Sequence, residues 1–534
     1  MPPWRCGRRL GIGEGGRCWR RRWCNPSCAT GSRLAESAKR GARTPLQHAF
    51  TLRADGLGRR IAGGASYQFL GIALRTVLTI GSTATLARLL TPADFGYVAM
   101  ATVVTEFAAL LGAFGFGNVM VQRRVINRLQ LDTVFWATVA IGALLTGVVF
   151  VLSFTTGWLF ADPHVGALLR VLCLTFVINS LTTVPWIVIA RQMRFHIEFW
   201  INLGTVVIRI GAAIVSAAAG LGVWSLVVGA VVGSLAAVTL YSVFVPYLPR
   251  RRMHLPFLRS IWRTSSGYLG NSTLYYLNTN LDLLLIGRRL GPTPLGYYQN
   301  ARALTDEIRA RIAMPIQQVL FPAFSAIQTD RARFQQLVLR AGRLLAAVVV
   351  PIGVGVSANA PELVSVLYGE AWRPMIPVMA MFGLSAALRA ASAISQPLFN
   401  SNNRVVLAFR YNAVGTALLV AGVLLTMPYG IEAVGIAVAM SSLYSVVTLR
   451  AAFGLIGLGT RHVLQVLGPP AVASGVMWLA IASIRAMDWN SAPSVMLGVQ
   501  VASGSIVYLL TLHILSRQYL NDLRQARGPF LSRS

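Results

Sequence analysis

Leu86-Ala87-Arg88-Leu89-Leu90-Thr91-Pro92-Ala93-Asp94-Phe95-Gly96-Tyr97-Val98-Ala99-Met100-Ala101, running on to Glu106, recurs without a gap as Ile286 to Asp306. Arg88, Leu90, Pro92, Gly96, Tyr97, Ala101 and Thr105 reappear as Arg288, Leu290, Pro292, Gly296, Tyr297, Ala301 and Thr305. Composition alone would give roughly one or two such identities in a block of this length. The block ends on an acid in both copies, Glu106 and Asp306. A second set of matches, Phe199, Asn202 and Gly220 with Phe409, Asn412 and Gly430, carries the repeat further.

The chain around this repeat is 534 residues long, 55% hydrophobic and 12% charged, with mean hydropathy +0.60. Soluble domains carry about 25% charged residues. Apolar runs recur from about residue 62 to 515, most of them near the ~20 residues a helix needs to cross a bilayer. Helices are expected because hydrocarbon offers no partner to a free backbone N–H or C=O, and no alternating ten-residue pattern points to a barrel. Fourteen spans are predicted, roughly 64–87, 95–121, 131–155, 166–188, 200–219, 223–245, 268–287, 297–325, 344–358, 375–398, 408–427, 433–455, 464–484 and 494–515. The ninth is short, carries Pro351 and could extend toward Leu367.

The fold class is therefore an all-α membrane protein of about fourteen transmembrane helices. Six spans separate the two copies, so both insert in the same orientation, as parallel repeats about an axis along the membrane normal. Two extra C-terminal helices have no counterpart. The expected organisation is a basic extension, 1–60, expected to be disordered; an N-terminal six-helix lobe, 61–250; a C-terminal six-helix lobe, 251–460; two additional helices, 461–515; and a tail, 516–534.

Net charge is +31. Nucleic acid is rejected as a partner, because the Arg residues lie in short loops between apolar runs and not on one soluble face. One set of loops carries 22 Arg, among them Arg123, Arg128, Arg191, Arg250, Arg331 and Arg404; the other carries only Arg88, Arg288, Arg289, Arg373 and Arg485. The positive-inside rule then puts both termini in the cytoplasm. Cys6, Cys18, Cys24 and Cys28 lack zinc-site spacing, Gly11 to Gly16 matches a nucleotide-loop pattern by letters only, and the single Lys, Lys39, stands in no Walker A motif. No metal, cofactor or catalytic group is expected, and the chain reads as a non-enzyme.

The turn Leu90 to Asp94 has a local logic. Thr91 can cap the second span, Pro92 suits the first helical position, and Asp94 suits the helix N-terminus; Gly291 replaces the cap in the second copy. Charges inside spans are costly and face a cavity or a partner. They are Arg75, Glu106, Arg209, Asp282, Arg302, Asp306, Glu307, Arg309, Arg311 and Arg389. The bland reading is interhelical ion pairs. The sharper one is a net-positive interior suited to phosphate or carboxylate, with Arg75, Arg209, Arg302, Arg309 and Arg389 as substrate-binding residues. Glu106, Asp282, Asp306 and Glu307 would then bind a coupling ion or balance charge.

The run Ala87 to Ala101, continued through Gly117 to Val121-Gln122-Arg123, resembles the first-loop signature of bacterial polysaccharide-transport proteins. Asn280 to Gly287, with Leu290-Gly291 and Leu295-Gly296-Tyr297-Tyr298, is similar to their second-half signature. These are Wzx-type flippases of lipid-linked oligosaccharides, in a superfamily shared with multidrug–cation antiporters and lipid II flippases. The resemblance covers about residues 62–460. It implies two six-helix lobes around a central cavity. It also implies alternating-access movement of an undecaprenyl-diphosphate-linked repeat unit (O-antigen, capsule or exopolysaccharide) across the bacterial inner membrane. The partners implied are the lipid-linked oligosaccharide, the bilayer and a polysaccharide polymerase or export complex. The alternative is a cation-coupled drug or metabolite antiporter of the same superfamily, which would need an acidic or aromatic cavity; a third class is a non-transporting partner of a polysaccharide synthase.

Overall fold

The computed structural model describes residues 57–515 apart from 114–115, 124, 156–159, 161, 308–323, 325–329 and 488–491. The expectations for the basic extension up to residue 56, for Arg309 and Arg311 and for the tail from 516 lie outside the described residues. Helix α1, Leu57–Leu89, begins before the expected boundary at residue 60.

The elements that follow are α2 (Pro92–Ala113), α3 (Phe116–Gln122), α4 (Arg128–Leu152), α5 (His164–Leu172), α6 (Leu174–Ser180), α7 (Thr183–Arg191), α8 (Phe195–Ala218) and α9 (Trp224–Phe244). The second half opens with α10 (Leu255–Leu290) and α11, helical over 292–307 before the described residues stop. It continues with α12 (Arg331–Ala358), α13 (Ala360–Leu367), α14 (Ile376–Ala391), α15 (Ser395–Ser401), α16 (Val405–Thr426) and α17 (Ile431–Gly454). The added pair is α18 (Thr460–Ala486) and α19 (Pro493–Leu515).

Among the described residues, eleven helices are long and apolar enough to cross a bilayer, twelve if the bent α5–α7 stretch is one span. The expected fourteen are not reached there. The seventh expected span falls in α10, whose sequence carries Asn271, Ser272, Asn278, Asn280 and Asp282, and the eighth runs out of the described residues. The fourth is bent by 42° between Ser180 and Thr183. The ninth is longer than expected, because α12 already starts at Arg331, where the Asp330 carboxylate accepts the Arg333 N–H at 3.1 Å. Arg331, Arg333, Arg340 and Arg343 read as a loop in sequence but occupy the first turns of this helix. Pro351 sits inside it, as membrane helices tolerate.

The duplication is visible break for break. The α7–α8 junction and the α15–α16 junction both place a non-glycine residue at positive φ, Met193 at 51° and Asn403 at 55°, and both restart the helix two residues later, at Phe195 and Val405. Gly220 and Gly430 follow at φ 81° and 93°, where a Cβ would be strained. The turn into α2 is capped as its residues dictate. The Asp94 carboxylate accepts the Thr91 N–H at 2.9 Å and the Thr91 hydroxyl at 2.7 Å, and Pro92 opens the helix. At the second copy Gly291, φ 85°, ends α10 and Pro292 opens α11.

The added pair is fastened to the second half. Tyr508 of α19 donates to the Ala347 carbonyl at 2.7 Å, and Arg485 of α18 grips the Glu362 carboxylate with Nε at 2.8 Å and Nη2 at 2.7 Å. Ala347, Ala358, Ala473, Met477, Ile481 and Leu512 fill the space between α12, α18 and α19.

Candidate functional site

The largest buried cluster gathers both repeat copies, with Ala99, Met100, Ala101 and Val103 of α2 against Leu295, Tyr298, Ala301 and Leu304 of α11. At the start of these helices the two copies touch reciprocally. A Cβ placed on Gly96 would lie 1.8 Å from the Pro292 carbonyl oxygen, and one on Gly296 would lie 1.9 Å from the Pro92 carbonyl oxygen. Such reciprocity is what a two-fold relation between identical patches produces. The same end is sealed further by Trp372, wholly buried, whose indole donates to the Ala87 carbonyl at 3.0 Å and whose ring meets Phe95, Tyr297 and Tyr368. Arg88 reaches across to the Val366 carbonyl at 2.7 Å. A loop residue, Asp162, accepts the Tyr97 hydroxyl at 3.0 Å and the His164 N–H at 2.9 Å. Its burial works against the anion, yet the hydrogen bonds from His164 and Tyr97 hold its carboxyl below the usual value.

From this sealed end the charged residues separate into two groups. The first joins α10, α11 and α14. Arg302 donates from Nη1 to both Asp282 oxygens, at 2.9 and 3.0 Å, from Nη2 to the Thr279 carbonyl, and from Nε to Asp306 at 3.4 Å. Asp282, 5% exposed, also accepts the Tyr298 hydroxyl at 2.7 Å and the Leu283 N–H at 2.9 Å. Asp306 lies between Arg302 and Arg389, whose Nη2 is 4.0 Å away. Glu106, on α2, stands within electrostatic reach of Arg302 from the other half. Glu307, the next residue of α11, is half-buried. Charge is balanced here by direct pairing.

Removing one member of this network strands the other. Arg302→Ala and Asp282→Ala should each cost about 3–5 kcal/mol, the usual penalty for orphaning a buried charge. The double variant Asp282→Leu/Arg302→Met should recover much of that loss. Midpoints of thermal unfolding in detergent check it; equal losses in singles and double would mean the pair is not the source.

The second group is different. Arg75 of α1 and Arg209 of α8 lie near enough for each charge to act on the other, and neither makes an ion pair or hydrogen bond among the described residues. Gly233 of α9 makes room for the Arg209 stem, since a Cβ there would lie 2.9 Å from the Arg209 Cβ and 3.0 Å from its Cγ. At 1.5 Å per residue, Arg75 is about 21 Å below the α1 end at Leu89 and Arg209 about 14 Å below the α8 end at Ala218. Two like charges at that depth, with no acid paired to either among the described residues, need water or an anion to face.

The expected cationic set is thus split. Arg302 and Arg389 belong to the paired network, and Arg75 and Arg209 form the unpaired site. Sequence reasoning missed Tyr298, although it stands in the quoted second-half signature. It also missed the Glu362–Arg485 pair, because only a fold brings residues 123 positions apart together.

A family model for polysaccharide biosynthesis proteins matches residues 85–377, more than half of the chain. The lipopolysaccharide biosynthesis protein WzxC of Escherichia coli (strain K12) is 27% identical over 363 residues, 66% of this chain and 73% of the relative. The succinoglycan biosynthesis transport protein ExoT of Rhizobium meliloti (strain 1021) is 25% identical over 469 residues, 83% of this chain and 91% of the relative. Among solved structures, the lipid II flippase MurJ in an inward closed conformation superposes with TM-score 0.67 at 14% identity, covering 86% of this chain and 99% of the other. An inward-facing multidrug resistance transporter of the MATE family superposes with TM-score 0.57 at 14% identity, covering 72% and 94%. At these identities the structural likeness establishes the fold.

Proposed function

This chain belongs to the polysaccharide biosynthesis protein family, and on that premise we propose that it is a flippase for polyprenyl-diphosphate-linked oligosaccharide. It is a multi-pass membrane transporter and not an enzyme. The repeat unit of an O-antigen, capsule or exopolysaccharide would pass from the cytoplasmic to the outer leaflet of the bacterial inner membrane, with both termini cytoplasmic and a polymerase or export complex receiving the product. The two six-helix lobes, 61–250 and 251–460, would rock about the seam between α2 and α11.

The observation that carries this reading is the unpaired Arg75–Arg209 pair. A diphosphate offers two anionic groups at close spacing, and Arg binds phosphate oxygens through two parallel N–H donors. The polyprenyl chain needs no cavity, since it stays in the bilayer. Glu106, Asp282, Asp306 and Glu307 fit the charge-balancing role, holding Arg302 and Arg389 while the lobes move.

Purified protein in liposomes should expose a polyprenyl-diphosphate oligosaccharide to an impermeant glycosidase on the far side. It should not exchange a cationic dye against a proton or sodium gradient. Dye exchange without sugar translocation would favour the antiporter alternative and overturn the flippase reading.

A further inference from the structure

The segment that joins the two halves, from the end of α9 at Phe244 to the start of α10 at Leu255, is fastened to the first turns of α4. Asp132, 1% exposed, accepts the Tyr247 hydroxyl and the Arg250 N–H, the latter at 3.3 Å. The Trp136 indole donates to the Arg250 carbonyl at 2.9 Å, and Arg128 donates to the Leu248 carbonyl at 3.3 Å. The His254 N–H reaches the Thr133 hydroxyl at 3.0 Å. A connection that only bridged two helices would need none of these bonds.

What the fastening presents is basic. Arg250, Arg251 and Arg252 are exposed, and so is Arg259 in the second turn of α10. None of the four guanidiniums makes a hydrogen bond or ion pair among the described residues. Asp132 does not neutralise them, since it is spent on Tyr247 and on backbone. Orienting a membrane helix takes positive charge alone and no fixed backbone.

The first turns of α10 are two-faced. Phe257 and Ile261 are buried, at 7% and 0% exposed. Leu255, Arg259 and Trp262 lie within about 60° of one another on the opposite side. Leu255 is 65% exposed and Trp262 44%. Water suits Arg but not Leu or Trp, and hydrocarbon suits Leu but not Arg. The head-group layer suits all three. Leu248, 81% exposed, continues the surface toward the end of α9.

We propose that this segment is a docking surface for anionic phospholipid of the leaflet it meets. The guanidiniums take phosphate oxygens, while Leu248, Leu255 and Trp262 enter the acyl boundary. Basic clusters next to a membrane helix attract anionic head groups, each Arg contributing about fivefold in affinity. Because the surface lies on the chain link between the halves, bound lipid anchors that joint at the membrane surface. The inference does not depend on what the chain transports.

The test is native mass spectrometry of the full chain in detergent, titrated with phosphatidylglycerol or phosphatidylcholine. Phosphatidylglycerol should bind about tenfold or more tightly than phosphatidylcholine. Arg250→Gln/Arg251→Gln/Arg252→Gln should remove most of that preference. Arg404→Gln/Arg410→Gln/Arg461→Gln, three exposed Arg of the second half, should leave it nearly unchanged. Asp132→Ala separates a built surface from bulk charge. It removes a negative charge, so charge alone would tighten phosphatidylglycerol binding, whereas release of the segment should weaken it several-fold. If that variant does not fold, Tyr247→Phe, which frees the segment in part and keeps the acid, should weaken binding in the same direction. Equal losses in the two triple variants, wild-type preference in the first of them, or tighter binding in folded Asp132→Ala would overturn the proposal. So would loss of the same preference on adding an equimolar short-chain polyprenyl-diphosphate sugar, which would make the surface a substrate dock.

Discussion

Alanine at Arg75 or at Arg209 is expected to weaken binding of a polyprenyl-diphosphate sugar by roughly ten- to a hundredfold, since a charged hydrogen bond contributes about 1.5–3 kcal/mol. Folding should be spared or improved, because each variant removes one of two repelling charges and strands no acid. Lys at either position should recover only part of the loss, keeping the charge but not the planar fork. The contrast with Arg302 is the informative part. Arg302→Ala should fail mainly through unfolding, because it orphans Asp282. Titration of folded, purified variants with a short-chain polyprenyl-diphosphate sugar separates the two. Wild-type affinity in both Arg75→Ala and Arg209→Ala would remove them from the site.

Gly96→Ala and Gly296→Ala are each expected to prevent the closure seen here. The added methyl would sit 1.8 or 1.9 Å from a backbone carbonyl of the facing copy, which no rotamer change can relieve. Overpacking of this kind costs about 1–3 kcal/mol and often more, enough to shift a two-state equilibrium by roughly five- to more than a hundredfold. Spin labels on the repeat pair Leu89 and Arg289, both exposed, report it. The wild type should show a short-distance population that either variant moves to longer distance, with transport falling in proportion. An unchanged distance distribution would mean the seam is not a moving contact.

The repeat made the architecture readable because the residues that recur are those the seam and the turn require. Pro92 and Pro292 open the helices, Gly96 and Gly296 allow the backbones to touch, and Tyr97 and Tyr297 donate to the Asp162 carboxylate and the Ala371 carbonyl. Gly96 and Gly296 recur in the sequence, but nothing local says that another backbone lies against them. The span count was less legible. The Arg residues of α12 resemble a loop, and α10, read from sequence as a span over 268–287, is not among the helices apolar enough to cross a bilayer. Sequence found the charged set without its partition. Arg75 and Arg302 are alike on paper; only the fold shows that Asp282, Thr279 and Asp306 surround one and that the other faces Arg209.

The central claim, that the Arg75–Arg209 pair holds the diphosphate during translocation, is tested most directly by reconstituted flipping measured per folded molecule. Wild type and the double variant Arg75→Ala/Arg209→Ala are compared in liposomes carrying a polyprenyl-diphosphate oligosaccharide, with an impermeant glycosidase as the reporter. The expected result is a rate in the double variant near that of protein-free liposomes, while its folded yield matches wild type. A wild-type rate from the folded double variant would contradict the assignment.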